Sequence, residues 1–443
     1  MSSVAAINGR SEAFHPFLKL TQPIENAAYP QPRILVAGRT YDFSFTFVVP
    51  NQLLPSSCTH KCGSSKLKDE HLQLPPSMGD PELSGVGSTL LDDMAPDMAR
   101  ISYAVRVRLL RNRERDGKEL VLAEKTRKVR VIPAVEEQPP VRVDEKDDEY
   151  CLRKEKSIRK SMFKGKTGRL VMEAAQPQSL RCPPPLSSLT ARRASITTMA
   201  TVILRFDPAS ADSPAPRLSS LSGKLKVATF YASAPRRTYP TKETMLYDAT
   251  QGVHVETLTL SSRCMRSAQW ARHEPNSSLS DAIFSGDSGL SITDVVTACP
   301  APTTAYDRNG PFYTAKLPVP VSLPSNKVFV PSFHSCLVSR IYVLELCLSI
   351  DTGSVGTTIT IKLPLQISAE TAASPESPEV RGDRAEDVQA DDVFTPRSIA
   401  PPLEQLLRRA TTGNIEVQQQ QELPPEYSYL APRRSSGFVT ARG

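Results

Sequence analysis

Apolar and polar residues alternate along several short segments of the chain, and a period of two is typical of a β-strand with one buried face. Residues 41–47 alternate aromatic and polar side chains throughout, and residues 100–109 repeat the pattern. Gly or Pro residues flank such segments, and Asp116-Gly117 has the composition of a hairpin turn. Helical periodicity is almost absent. The pattern therefore predicts an all-β protein built from antiparallel strands.

The predicted strands fall into two blocks of similar length. The first block covers residues 14–180 and the second covers residues 198–370. A linker at residues 181–197 contains three consecutive prolines and a run of Ser and Thr. Short strands at this spacing predict one antiparallel β-sandwich in each block. Residues 1–13 are small and polar, and they are predicted to be a disordered N-terminus.

The last part of the chain, residues 371–443, is dominated by Glu, Ser, Pro and Gln. Such a segment cannot bury enough apolar surface to offset the entropy lost on ordering, so it is predicted to be a disordered tail. It contains Leu423-Pro424-Pro425-Glu426-Tyr427. The two prolines favour a polyproline II helix with about three residues per turn, which puts Pro424 and Tyr427 on one face.

This Pro-Pro-x-Tyr pattern predicts a binding site for a WW domain. WW domains bind polyproline II segments in aromatic-lined grooves, and the preformed helix lowers the entropic cost of binding. The alternative is a chance match, because the pattern fixes only three positions and the chain has 39 prolines.

Composition limits the class of protein. The 443 residues leave room for about two or three domains. The 8 cysteines have no framework spacing and no secretory signal is recognisable, which predicts reduced thiols in a cytosolic protein. No apolar run approaches the ~20 residues that span a bilayer, so any membrane contact is expected to be peripheral.

Several local stretches, the two predicted β blocks and the tail motif together resemble the arrestin fold, and specifically the fungal arrestin-related trafficking adaptors. The stretches are residues 37–41 running into 45–50, and residues 74–77, 260–264, 330–336 and 363–367. The resemblance implies two immunoglobulin-like β-sandwich domains, an arrestin-like N-domain at 14–180 and a C-domain at 198–370. It also implies that the N-domain lacks its first strands, because only about sixteen residues precede Phe17.

The resemblance implies a non-enzymatic adaptor without a cofactor. Members of this family bind the cytosolic parts of membrane transporters or receptors and recruit a HECT-type ubiquitin ligase through its WW domains. Ubiquitination of the cargo then directs endocytosis and sorting, so the expected location is the cytoplasm with recruitment to the plasma membrane and endosomes. The alternative is an arrestin-fold scaffold for pH or nutrient signalling that acts without ligase recruitment. If the protein is a ligase-recruiting adaptor, the residues that contact the WW domain would be Leu423, Pro424, Pro425 and Tyr427.

A basic segment between Cys151 and Arg169 is a second candidate site. It contains eight cations against one acid, Glu155, and the cations are Arg153, Lys154, Lys156, Arg159, Lys160, Lys164, Lys166 and Arg169. Each cation near an anionic membrane contributes about 1 kcal/mol to binding, so the segment is predicted to contact anionic lipid or acidic cargo. The alternative is an ordinary solvated strand and loop. Nucleic acid is not expected, because only Phe163 interleaves the charges and no reading module is present.

Three predicted phosphorylation sites follow pairs of arginines in predicted loops. They are Ser195, Thr411 and Ser436. A phosphate adds about −1.5 to −2 charges, and Ser436 is close enough to Tyr427 in sequence to alter WW binding.

Two groups of cysteines and histidines contain residue types that occur in metal or catalytic sites. Cys58-Thr59-His60-Lys61-Cys62, with His71 later, has residue types that bind metals. Zinc sites usually contain two such pairs, and only one is visible, so no metal site is predicted. His334 and Cys336 share one face of a predicted strand, but no orienting acid is nearby. No catalytic residues are therefore predicted.

Overall fold

The computed structural model describes residues 2–370 except 7–8, 33, 81, 84, 87–88, 114–117, 135–138, 144–146, 148, 160–164, 184–195, 275–299, 304–309 and 352–355. These residues all belong to one compact unit, Met1–Ser374.

Strands dominate the described part of the chain. The strands are β1 (Ser2–Ala6), β2 (Gly9–Ala13), β3 (Gly85–Val86), β4 (Thr89–Leu90), β5 (Tyr103–Asn112), β6 (Glu119–Val129), β7 (Arg153–Arg159), β8 (Lys166–Ala174), β9 (Leu180–Cys182), β10 (Thr197–Pro208), β11 (Arg217–Ala232), β12 (Gln251–Cys264), β13 (Ala271–His273), β14 (Phe312–Ser322), β15 (Phe333–His334), β16 (Val338–Asp351), β17 (Thr357–Leu365) and β18 (Ile367–Ala369). The α-helices in the described residues are α1 (Ser65–His71) and α2 (Lys242–Tyr247). The prediction of a mainly β protein with antiparallel sheets is confirmed.

Two five-stranded antiparallel sheets form the centre of the structure. One has the order β13-β14-β10-β8-β7, and the other has the order β12-β11-β16, with β15 and β17 both pairing along the far side of β16. Alternate residues of β10 point into the interior, where Ala200, Val202, Leu204 and Phe206 are fully buried. They belong to the same hydrophobic cluster as Leu344 of β16. The two sheets therefore share one core.

Strands from both predicted blocks contribute to this core. β8 pairs with β10 from Ala174 opposite Val202 to Gly168 opposite Pro208. Farther along the chain, β9 pairs in parallel with β18. Strands that precede and follow the predicted linker at residues 181–197 thus share sheets. The division into domains at this linker stays a prediction.

A second hydrophobic cluster lies between residues 53–103 and the strands around β15. Its buried members include Leu53, Cys58, Met78, Tyr103 and Phe333. The Tyr103 hydroxyl donates a hydrogen bond to the Pro75 carbonyl, which satisfies the polar end of a buried ring. This second cluster fixes the earlier part of the chain against β11 and β16.

The alternating segment at residues 41–47 is not a strand, so that prediction was wrong. Side chains take part in the hydrogen bonds of this segment. The Thr46 N–H donates to Gln22 Oε1 at 2.7 Å, and the Tyr41 hydroxyl accepts from the Val36 N–H at 2.9 Å. Phe45 is 53% exposed. A strand requires a partner backbone for its hydrogen bonds, and alternation alone does not supply one.

Candidate functional site

Several sequence-predicted sites lie outside the described residues. They are the motif residues Leu423, Pro424, Pro425 and Tyr427, the phosphorylation sites Ser195, Thr411 and Ser436, and the basic residues Lys160 and Lys164. These assignments stay predictions.

The other six basic residues lie on β7 and β8, and β7 is the outermost strand of its sheet. Arg153 lies opposite Glu173 of β8 and forms an ion pair with it at 3.0 Å. Arg153 also donates to the Ala301 carbonyl at 2.8 Å. Arg169 pairs with Glu155 across the same two strands. Part of the predicted basic charge is therefore neutralised, because β8 supplies Glu173 as a second acid.

The remaining cations of this surface face outward. Lys156 donates to the Thr358 carbonyl of β17 at 2.6 Å. Lys154, Arg159 and Lys166 are exposed. The edge of the sheet is thus still positively charged, but fewer of its cations are unneutralised than the count from the sequence indicated.

A cluster of two cysteines and two histidines forms where residues 55–71 fold back on themselves. A short 3₁₀-helix, Pro55–Ser57, ends at Cys58. The loop from Cys58 then reaches Ser64, whose hydroxyl accepts from the Leu67 N–H at 3.2 Å and so caps the start of α1. His71 is the last residue of α1. Helix α1 thus brings His71 back beside Cys58, at the beginning of the loop.

The donor atoms of Cys58, His60, Cys62 and His71 all lie within 4.8 Å of one another. The two sulfur atoms are 3.8 Å apart. Nδ1 of His71 lies 3.8 Å from the sulfur of Cys58 and 3.7 Å from that of Cys62. The ring of His60 lies against both sulfurs, with Nδ1 at 3.7 Å from Cys58 and Nε2 at 3.6 Å from Cys62. Cys58 and His71 are buried, and His60 and Cys62 are half-buried.

Hydrogen bonding and burial define the protonation of this cluster. Nε2 of His60 lies 2.9 Å from the Arg236 carbonyl, and a carbonyl can only accept, so Nε2 is the nitrogen that donates this hydrogen bond. Burial, and then the nearby His60 and Arg236, lower the pKa of His71 to about 4, so this ring is neutral at pH 7. Burial and the neighbouring Cys58 raise the pKa of Cys62. The His71 imidazole of the cluster is therefore neutral at pH 7, and ionisation of the Cys62 thiol is disfavoured.

The cluster is attached to later parts of the chain. The Gly63 N–H donates to the Arg237 carbonyl at 2.7 Å, in the connection that follows β11. Arg236 is buried and donates to the Ser339 hydroxyl of β16 at 2.9 Å. Cys336 lies close by, and its sulfur is 4.0 Å from the Ser57 carbonyl oxygen. The loop at 58–64 thus joins the helix α1 to the connections before α2 and β16.

His334 and Cys336 do not form an activated nucleophile. Burial, with Cys58 and Cys62 nearby, raises the pKa of Cys336 to about 12, which disfavours the thiolate that a nucleophile needs. Burial, followed by repulsion from Arg236, lowers the pKa of His334 to about 3. The His334 ring packs edge-on against Tyr239 at 5.1 Å between ring centres. Both groups act as packing residues in this geometry.

Sequence reasoning named the four residues of the cluster but did not combine them. It counted Cys58 and Cys62 as one pair and looked for a second pair with similar spacing. The second half consists of His60, which lies between the cysteines, and His71, which α1 brings back. An alternation Cys-x-His-x-Cys followed by a short capped helix ending in His is the signal that could have indicated this convergence.

No protein-family model and no curated protein matches this chain. None of the helices in the described residues is long and apolar enough to cross a membrane.

Proposed function

We propose that this protein is an adaptor of the arrestin type. In this proposal its β-sandwich body binds the cytosolic part of a membrane transporter or receptor, and its Pro-Pro-x-Tyr motif recruits a WW-domain ubiquitin ligase of the HECT type. The ligase then ubiquitinates the cargo and directs its endocytosis and sorting. The single observation that carries the proposal is the motif itself, Leu423-Pro424-Pro425-Glu426-Tyr427.

The mainly β body supports this proposal as a carrier. Two antiparallel sheets share one core, and the strands on their outer sides leave edges and faces for contacts with other proteins. The local stretches that resemble arrestin-related adaptors include residues 74–77 and 330–336, and these two stretches both contribute to the second hydrophobic cluster.

The exposed cations on β7 and β8 support a location next to a membrane. Lys154, Arg159 and Lys166 carry positive charge at the outer edge of one sheet. Each cation close to an anionic leaflet contributes about 1 kcal/mol, and acidic cargo tails would be attracted in the same way. Such a contact strengthens binding to a cargo that is already in that membrane.

A single motif of this kind binds a WW domain weakly, with a dissociation constant on the order of 10 μM or about −7 kcal/mol. Recruitment of a ligase then requires several WW domains, or an adaptor and a ligase that are concentrated on one membrane. Only the motif needs to be intact for this contact, because polyproline II segments are recognised through their own side chains.

The test is a pull-down of the full-length protein with the tandem WW domains of a HECT-type ligase. Tyr427→Ala is expected to lower the affinity at least tenfold, because the tyrosine ring fills the groove. Tyr429→Ala is the matched control, since it removes the same side chain two residues farther along the tail. It is expected to bind like the wild type.

Equal binding of the wild type and the Tyr427→Ala variant would refute ligase recruitment through this motif. The arrestin-fold signalling scaffold that acts without ubiquitin would then be the better description. A ubiquitination assay on the same two variants separates these functions, because only the adaptor predicts less ubiquitin transfer when Tyr427 is removed.

A further inference from the structure

We propose that Cys58, His60, Cys62 and His71 bind one zinc ion in a tetrahedral structural site. This inference is independent of the proposed adaptor function, because it depends on residues 58–71 and not on the tail.

The distances between the donor atoms agree with those of a zinc tetrahedron. With Zn–S bonds of about 2.3 Å and Zn–N bonds of about 2.0–2.1 Å, tetrahedral geometry separates two sulfurs by about 3.8 Å and a sulfur from a nitrogen by about 3.6 Å. The two sulfurs of the cluster are 3.8 Å apart. Nδ1 of His71 is 3.7 Å from Cys62 and 3.8 Å from Cys58, and Nδ1 of His60 is 3.7 Å from Cys58. All four donor atoms lie within 4.8 Å of one another, so a zinc ion fits among them once side-chain rotations shorten the longest separations to tetrahedral values.

The donor types favour zinc over other common cations. Two thiolates and two imidazoles are one of the standard ligand sets of structural zinc, and Mg²⁺ and Ca²⁺ prefer oxygen ligands. Binding converts the two thiols to thiolates and releases two protons to solvent. Zn²⁺ with two thiolates and two neutral imidazoles has no net charge. A neutral centre is compatible with the burial of Cys58 and His71.

Four protein ligands fill the tetrahedron, and this indicates a structural role. Catalytic zinc sites keep one position open for water or substrate, whereas structural sites are closed. The half-burial of His60 and Cys62 leaves a route by which the ion can enter.

The surroundings of His60 resemble the outer shell of a metal site. Its Nε2–H donates to the Arg236 carbonyl at 2.9 Å, which leaves Nδ1, 3.7 Å from the Cys58 sulfur, as the nitrogen that would bind zinc. Zinc would therefore hold the loop and α1 together, and through Arg236 it would also hold them against the connection that follows β11.

A disulfide between Cys58 and Cys62 is the competing explanation of their proximity. Their sulfurs are 3.8 Å apart, and a disulfide bond is about 2.05 Å long. A disulfide would use both thiols and remove the metal site. The two possibilities differ in mass and in metal content, so one purified sample can separate them.

The experiment uses the full-length protein, purified without chelator after expression with added zinc. Elemental analysis by mass spectrometry is expected to find about one zinc ion per chain, and intact mass under non-reducing conditions is expected to show free thiols. Exchange of the zinc for Co²⁺ is expected to produce the intense visible absorption of tetrahedral cobalt together with a thiolate charge-transfer band. These spectra report metal coordination directly. Residues that only pack against one another, without binding a metal, would not produce them.

Cys62→Ser is the diagnostic variant, since this half-buried thiol is replaced by a side chain of similar size. It is expected to lose most of the bound zinc and the tetrahedral cobalt spectrum. Cys264→Ser is the matched control, because Cys264 is an exposed cysteine on β12 and is not one of the four donors. It is expected to keep one zinc ion.

Two results would overturn the proposal. The first is wild-type protein that contains no zinc after loading and gives no tetrahedral cobalt spectrum. The second is a Cys58–Cys62 disulfide in protein that was purified from a reducing compartment. The measurement on the wild type is decisive even if Cys62→Ser does not fold.

Discussion

Arg340 of β16 provides a test of how the turn at residues 92–95 is held against the central sheet. Its side chain is fully buried, although arginine is among the residues that are least often buried. The guanidinium donates to the Asp93 carbonyl at 3.0 Å and to the Met94 carbonyl at 3.2 Å. Arg340 therefore fastens the turn at residues 92–95 to the central strand β16, and we predict that Arg340→Met destabilises the fold.

The size of the effect follows from these contacts. A hydrogen bond from a charged donor contributes about 1.5–3 kcal/mol, and a buried carbonyl left without a partner costs about 1–3 kcal/mol. Methionine fills much of the same volume but leaves both carbonyls without this donor. Removing the buried charge recovers part of its desolvation cost, so the total is smaller than the sum of the contacts. We expect a loss of about 3 kcal/mol in the free energy of unfolding.

Urea unfolding followed by tryptophan fluorescence measures this loss. Trp270 is the only tryptophan, it packs against the shared core, and its indole N–H donates to the Pro216 carbonyl at 3.1 Å. Its emission should therefore report loss of that core. Arg263→Met on β12 is the control, because Arg263 is exposed. Surface changes of this kind are usually within about 0.5 kcal/mol. If Arg340→Met is equally mild, the argument that Arg340 holds the turn at residues 92–95 against β16 is wrong.

Two further predictions address core packing and pH. Leu344→Ala should lower the free energy of unfolding by about 2–5 kcal/mol, because Leu344 is fully buried between the sheets. Leu246→Ala is the control, since Leu246 is 80% exposed, and it should leave the urea midpoint unchanged. The pKa of His334 is lowered from 6.5 to about 3 by burial and by nearby Arg236, His71 and Lys66, so below pH 6.5 the unfolded chain binds a proton that the folded chain does not. Stability should fall from pH 6.5 to about pH 5 by at most ~1.4 kcal/mol per pH unit from this group. Unfolding curves of His334→Gln should show a flatter pH dependence, and an unchanged slope would contradict the assignment.

The candidate sites differ in how close together their residues lie along the sequence. The Pro-Pro-x-Tyr motif and the three Arg-Arg phosphorylation contexts are contiguous, so they can be recognised without a fold. The basic segment was recognisable as a run of positive charge. The net charge that remains at its surface was not, because Glu173 reaches Arg153 only when β7 and β8 pair. The cluster of Cys58, His60, Cys62 and His71 was not recognised from the sequence, because helix α1 must bring His71 back before the four donor atoms lie together.

The mainly β character of this protein was determined by the sequence alone. Alternation at residues 100–109 is a local property, and it places every second side chain on the same face whichever strand lies beside it. Residues 103–109 of that segment lie in β5, which pairs antiparallel with β6.

The tertiary structure decided which segments pair and what their pairing brings together. Residues 41–47 alternate as clearly as β5, yet they are not a strand, because a strand exists only where another backbone completes its hydrogen bonds. The pairing of β8 with β10 joins segments on opposite sides of residues 181–197. The convergence of Cys58, His60, Cys62 and His71 is the same kind of result, since contacts across a fold depend on packing and not on the order of residues along the chain.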